Sequence, residues 1–185
     1  MEKPDWRVAS SSYVIDTPFL RMRRDDVNVP SQDGLTSFFV RESRGFAIVF
    51  ALTNENEVLL VRQYRYGIDA YTLELPAGTL DGDEDPLDCA KRELQEETGF
   101  TAPRWEHVLD VAAEPVRSTS IMHVFVAREA RRTNAQQLDP FEVLAAETMP
   151  IDRVLDALRN GEFGAAHSVA ASFAALDYLE RSTQG

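Results

Sequence analysis

Between Gly78 and Phe100 the chain reads GTLDGDEDPLDCAKRELQEETGF, and no other stretch restricts the fold as much. Asp85-Pro86 has the chemistry of a helix N-cap followed by an N1 proline, and Gly99 that of the stop just past a helix end. Between these signals Leu87, Ala90 and Leu94 recur at helical spacing and form one apolar stripe. Glu93, Glu96 and Glu97 stand at i, i+3 and i+4, so their carboxylates share another face. Three like charges close to the negative end of the helix dipole oppose both one another and the dipole. A hard divalent cation removes that conflict by taking carboxylate oxygens. A solvated acidic face is the alternative for such a cluster.

The spacing carries more than the helix. Gly78 is followed after five residues by Glu84, and seven further residues lead to Arg92-Glu93-Leu94, then Glu96-Glu97, Gly99 and Phe100. These nine positions fill the pattern G-x5-E-x7-R-E-U-x-E-E-x-G-U, with U apolar. The chain therefore resembles the Nudix hydrolases, over roughly residues 15 to 175. Two flanking stretches, VRQYRY from Val61 and LELPAG from Leu73, resemble the ADP-ribose pyrophosphatase branch of that family.

The resemblance implies an α/β fold, an α/β/α sandwich around a mixed sheet, with a small N-terminal antiparallel β extension. It implies that the carbonyl of Ala77 is a metal ligand, with Glu93, Glu96 and Glu97 completing the cluster around two or more Mg2+ (or Mn2+) ions. Arg62 and Arg65 are forked donors suited to a diphosphate, or else partners in surface-strand ion pairs. Glu74 is a candidate for the substrate or metal rim. Glu84 and Arg92 read as an ion pair locking loop to helix.

Pro115 falls sixteen positions after Gly99, where the resembled ADP-ribose hydrolases carry a proline; the alternative is an ordinary turn residue. Their loop commonly runs Pro-Gly and ends in an acidic residue, whereas this one reads Pro115-Val116 and ends in Ser120. Arg117 is a candidate phosphate contact. In the resembled enzymes an acidic loop supplies the general base. By its offset from Phe141 the matching residue is Asp139, with Glu142 as runner-up and Glu96 as a third candidate; a base has to reach the attacking water, so geometry decides among them.

Organisation follows from the rest of the chain. Its 185 residues suit one hydrolase domain over 44–185 preceded by a β extension over 1–43. An extension of that size buries little alone. The resemblance implies that it builds a homodimer and contributes substrate contacts. Strands are expected at 13–15, 19–23, 27–29 and 35–40, then at 46–52, 58–61, 105–111 and 121–127. A solvated loop is expected over 128–134 and helices over 152–159 and 168–179. Ser168 caps the second helix, with Val169, Phe173, Leu176 and Leu179 as its buried face. His107, His123 and His167 show no metal-ligand spacing.

A formal net charge of −12 argues against a nucleic-acid partner but not against a phosphorylated substrate in a metal-lined cleft. The single cysteine, Cys89, allows no intrachain disulfide and suits a reducing cytoplasm. Neither a signal-peptide pattern at MEKPDWR nor a membrane-length apolar run is found. The G-x-S-x-G and Walker A patterns are absent, so acyl-enzyme and P-loop chemistry are not indicated. The expected activity is metal-dependent hydrolysis of the diphosphate of a nucleoside diphosphate sugar, with ADP-ribose giving AMP and ribose 5-phosphate. The alternatives are another sugar nucleotide such as GDP-mannose, altered nucleoside triphosphates, or a sensor that binds without cleaving.

Overall fold

A computed structural model describes residues 2–183. Two compact units divide the chain. The first takes the chain up to Gly45 together with Ala112–Ile121, and the second takes Phe46–Val111 and the chain from Met122 onward.

In the first unit β1 (Arg7–Asp16), β2 (Arg21–Asn28) and β3 (Leu35–Glu42) form an antiparallel sheet in that order. β2 runs unbroken through Arg23-Arg24-Asp25-Asp26, where composition alone suggested two short strands. The charges are satisfied inside the sheet: Arg23 pairs with Asp25 at 2.8 Å and Glu42 at 2.5 Å, and Arg24 with Asp26 at 2.9 Å. The 112–121 segment joins this unit through main-chain bonds. The Arg41 N–H donates to the Arg117 carbonyl at 2.7 Å, and the Thr119 N–H returns to the Arg41 carbonyl at 3.1 Å.

The second unit carries β4 (Phe46–Thr53), β5 (Glu57–Arg65), β6 (Ala70–Glu74), β7 (Ala77–Thr79) and α1 (Pro86–Thr98). β8 (Phe100–Thr101), β9 (Arg104–Ala112), β10 (Ile121–Arg132), β11 (Leu144–Pro150), α2 (Ile151–Arg159) and α3 (Ala166–Thr183) follow. The sheet runs β11-β5-β4-β10-β8, with β6 paired to β5, β7 to β4 and β9 to β10. β4 and β10 are parallel and the other pairs of defined register antiparallel, so the sheet is mixed.

β4 is buried on both faces, which is why it reads as a continuous apolar run. Its alternation sorts side chains by size. Ala47, Val49 and Ala51 meet Cys89, Ala90 and Leu94 of α1, while Ile48, Phe50 and Leu52 meet α2 and α3 through Val154, Leu158, Ala171 and Ala175. This is the α/β/α sandwich that the sequence predicts.

α1 has the predicted ends. The Asp85 side chain accepts from the Leu87 N–H, Pro86 opens the first turn, and Gly99 closes the helix at φ 77° with its N–H on the Gln95 carbonyl. Two other expectations fail. Residues 128–132 continue β10 instead of looping out: Glu129 takes φ 61° at a bulge, after which Ala130, buried, pairs with Thr53, and Arg131 and Arg132 pair with β8. Ser168 lies inside α3, not at its cap, and its hydroxyl accepts from the Leu75 N–H at 3.1 Å; Phe173 is exposed.

Candidate active site

β7 and α1 meet at Gly78. A Cβ on Gly78 would fall on the Glu93 carboxylate, so the missing side chain is the space in which Glu93 sits. One turn further along, Glu97 accepts from the Ala77 N–H at 3.0 Å. Both glutamates are buried. They line a cleft of about 340 Å3 together with Gln63, Arg65, Ala77, Gly78, Arg92, Asp139 and Glu142.

The two carboxylates are electrostatically ill-satisfied. Burial pushes Glu93 up to about 6, against the attraction of Arg92, with Glu96 and Glu142 adding to the rise. Burial first, then the neighbouring Glu93, raises Glu97 well above the ordinary carboxylate range; Glu142 adds to this, and the Ala77 N–H and Arg65 only partly oppose it.

Arg92 organises the outer side of the helix. Its guanidinium meets Glu84 at 2.9 Å, Glu93 at 2.6 Å, Glu96 at 3.0 Å and the Thr79 carbonyl at 3.2 Å. Its hydrogen bonds hold Glu84 down to about 2. Glu96 is half-buried and engaged with Arg92 rather than grouped with Glu93 and Glu97 in the cleft. Burial pushes the Cys89 thiol up to about 12, so it stays a neutral packing group on α1's face toward the sheet.

Arg65 enters the cleft from β5. Glu74, fully buried, holds it in a fork, with Nε to Oε1 at 2.7 Å and Nη2 to Oε2 at 2.6 Å. Thr72 and His167 also donate to Glu74. Burial alone would raise Glu74, but the bonds from Arg65, His167 and Thr72 outweigh it and hold the carboxyl well below the usual range. Glu74 thus reaches the cleft only through Arg65. Arg62 alternates to the other side of β5 and pairs with Glu147 of β11 at 2.6 Å.

Asp139 and Glu142 form one turn. The Asp139 N–H donates to the Glu142 carboxylate at 3.0 Å, and the Glu142 N–H to the Asp139 carbonyl at 2.9 Å. Glu142 is half-buried and its charge acts on Arg65, Glu93 and Glu97, whereas Asp139 is exposed. Pro115 and Arg117 belong to the first unit. Arg117 lines a cavity of about 580 Å3 there with Met22, Phe38, Phe39, Arg41 and Val116. Two histidines that the sequence leaves apart converge on Asp110, at 2.7 Å from both His107 and His123. Gln63 and Arg92 also line the cleft; Gln63 shares a strand face with Arg65 two positions on, which is where the sequence carries its signal.

Among the described residues no three His, Cys, Asp or Glu side chains are gathered into a metal-holding group. The donors nevertheless fit a divalent cation. Glu93 and Glu97 are hard oxygen ligands, they are buried with too little compensating charge, and Gly78 leaves the room that Glu93 needs.

The sequence profile of the NUDIX domain matches residues 43–171, and the chain belongs to that family. It is 33% identical to a methanol dehydrogenase activator of Bacillus methanolicus over 141 residues, 76% of each chain. It is 29% identical to an ADP-ribose pyrophosphatase of Bacillus subtilis (strain 168) over 157 residues, 84% of this chain and 82% of the relative. A crystal structure of an ADP compounds hydrolase superposes with a TM-score of 0.84 over 98% of both chains at 21% identity, which establishes the shared fold.

Proposed function

We propose that this Nudix hydrolase cleaves the diphosphate bond of a nucleoside diphosphate sugar, with ADP-ribose, giving AMP and ribose 5-phosphate, as the favoured substrate. The observation that carries the reading is the cleft that sets Arg65 and Gln63 beside Glu93, Glu97, Ala77 and Glu142. A forked guanidinium suits a diphosphate, and buried paired carboxylates suit the cation that accompanies it.

In this reading Glu93, Glu97 and the Ala77 carbonyl hold Mg2+ or Mn2+, two or more ions per site, with Glu96 at the rim. When bound, the metal neutralises the diphosphate and makes water a better nucleophile. Arg65 orients the diphosphate through the donors that Glu74 leaves free. Glu142 takes the proton of the attacking water, a role for which it is preferred over Asp139 because its charge acts on Glu93 and Glu97. Asp139 holds Glu142 through its backbone N–H. Pro115 and Arg117 are assigned to sugar-nucleotide binding. The first unit is assigned to a homodimer interface, supported by Val8, Val14 and Ile15 standing exposed along β1. No helix among the described residues is long and apolar enough to cross a membrane. With the single cysteine, a cytoplasmic location is proposed.

The test is product analysis with Mg2+ against ADP-ribose, GDP-mannose, ADP-glucose, NADH and a nucleoside triphosphate. Selective AMP release from ADP-ribose is expected. Preference for GDP-mannose would move the substrate and keep the chemistry, and binding without turnover would make the chain a sensor. Sedimentation at micromolar concentration tests the dimer, and a clean monomer would remove it.

A further inference from the structure

The chain just before and within the first turn of α3 is stitched along β6. Phe163 bridges to Leu73, and the Gly164 N–H donates to the Leu73 carbonyl at 3.2 Å. His167 Nε2 reaches the Glu74 carboxylate at 3.1 Å, and Ser168 accepts from the Leu75 N–H. Four successive ties therefore hold residues 73–75. Only one of them, His167, touches a side chain that itself holds a cleft residue.

The details at Glu74 give that tie a direction. Glu74 has no exposed surface, and its Oε2 receives both Arg65 Nη2 at 2.6 Å and His167 Nε2 at 3.1 Å. An ionised carboxylate only accepts, so Nε2 carries the hydrogen. The imidazole is itself braced edge-on against Phe46, with ring centroids 5.7 Å apart and planes at 79°. Glu74 in turn fixes the plane of the Arg65 guanidinium through two parallel bonds from Nε and Nη2, which leaves Nη1 outside this fork and Arg65 on the cleft wall. The order of support is Phe46, His167, Glu74, Arg65, cleft.

We infer that His167 is a positioning residue for diphosphate binding: by holding Glu74 it sets the plane in which Arg65 meets the substrate. This rests on the proposed diphosphate chemistry of the cleft. His167 is not one of the described residues that line the cleft, so its effect is on how well substrate is held. A fork rotated off its plane loses the match between two N–H groups and two phosphate oxygens, which position alone supplies.

Three replacements separate this role from simple packing. His167→Phe keeps a ring against Phe46 and removes the donor. His167→Gln restores an N–H near the place of Nε2. His167→Ala removes both. The readouts are steady-state kinetics on ADP-ribose with Mg2+, equilibrium binding of the non-hydrolysable α,β-methylene analogue, and melting temperature. His167→Phe and His167→Ala should raise KM and weaken analogue binding about tenfold, the size of one charge-assisted hydrogen bond, with kcat changed less than about threefold. His167→Gln should recover most of that loss. In an Arg65→Ala background His167→Phe should add almost nothing, because the two act in series. Full binding in His167→Phe, an additive loss in the double variant, or failure of His167→Gln to recover binding would overturn the inference. Wild-type protein that neither binds the analogue nor hydrolyses ADP-ribose would instead sink the reading of the cleft, and this inference with it.

Discussion

The carboxylate of Glu93 occupies the space in which any side chain at position 78 would begin. What a larger residue at 78 displaces is therefore the end of a flexible side chain and not backbone. Gly78→Ala is expected to leave the melting temperature within about 3 °C of wild type. It should lower kcat/KM at least about 100-fold, because Glu93 is turned out of place. Differential scanning fluorimetry and steady-state kinetics on the same preparation check the pair of outcomes; an active variant would show that Glu93 works equally well elsewhere.

Gly99 fails in the opposite way. It sits at φ 77°, and an added Cβ would meet the Asn134 carbonyl, a backbone atom held there by the Asn134 N–H bond to Gly99 itself. Gly99→Ala should cost about 2 kcal/mol or more, which for a chain of this size lowers the melting temperature by about 4–8 °C. Mn2+ binding by titration calorimetry should survive in the protein that remains folded. The two motif glycines thus separate into one that serves the cleft and one that serves the helix end.

The buried glutamates make stability depend on pH in a predictable sense. Glu93 is raised to about 6 in the folded protein, above its unfolded range, so the folded state binds more protons over that interval. Stability then falls as pH rises from about 4.5 through 6, by about 2 kcal/mol for Glu93 alone, and Glu97 acts in the same direction. In EDTA, Glu97→Gln should melt above wild type at pH 8, with the gap closing toward pH 5. Mg2+ should raise the wild-type melting temperature and barely move that variant. An equal Mg2+ response in both would remove Glu97 from the ligands.

Glu142 and Asp139 share a turn but not an environment. Glu142→Gln is expected to lower kcat about 100- to 1000-fold with little change in KM, the usual weight of a general base. Asp139→Asn keeps its backbone N–H on Glu142 and should stay within about fivefold of wild type. Steady-state kinetics at saturating Mg2+ decide between them; the reverse pattern would hand the role to Asp139.

What could be read without a structure was what local chemistry announces. Asp85-Pro86 and Gly99 mark both ends of α1 because a cap, a fixed φ and a left-handed residue each leave a signature in one or two letters. β4 announces itself by burial on both faces. The rest depends on partners far along the chain. Arg128 to Arg132 look like a loop until Glu129 is seen to bulge and β8 to receive Arg131 and Arg132. Residues 112–121 join the first unit through bonds to Arg41 and Ser43, some 76 positions away in chain order. In the cleft, the acidic positions of α1 were legible from spacing. That Glu142 is half-buried and Asp139 exposed was not, because an offset in letters does not give the burial of either carboxylate. His167 carried no signal at all, since its partner Glu74 is 93 residues earlier.

The sorting of side chains on β4 has a consequence for how such a protein ages through descent. On the α1 side Ala47, Ala51 and Ala127 are fully buried against Cys89, Ala90 and Leu94 of the helix that carries Glu93 and Glu97, so a larger side chain at one of them would strain that contact. On the other side Ile48, Phe50 and Leu52 are large and interlock with α2 and α3, so one bulky residue can be traded for another as long as volume is kept. The sheet works as a gauge block with one ground face and one rough one. By this packing, the rough face can accept volume-keeping exchanges while the acidic helix keeps its height above the strands.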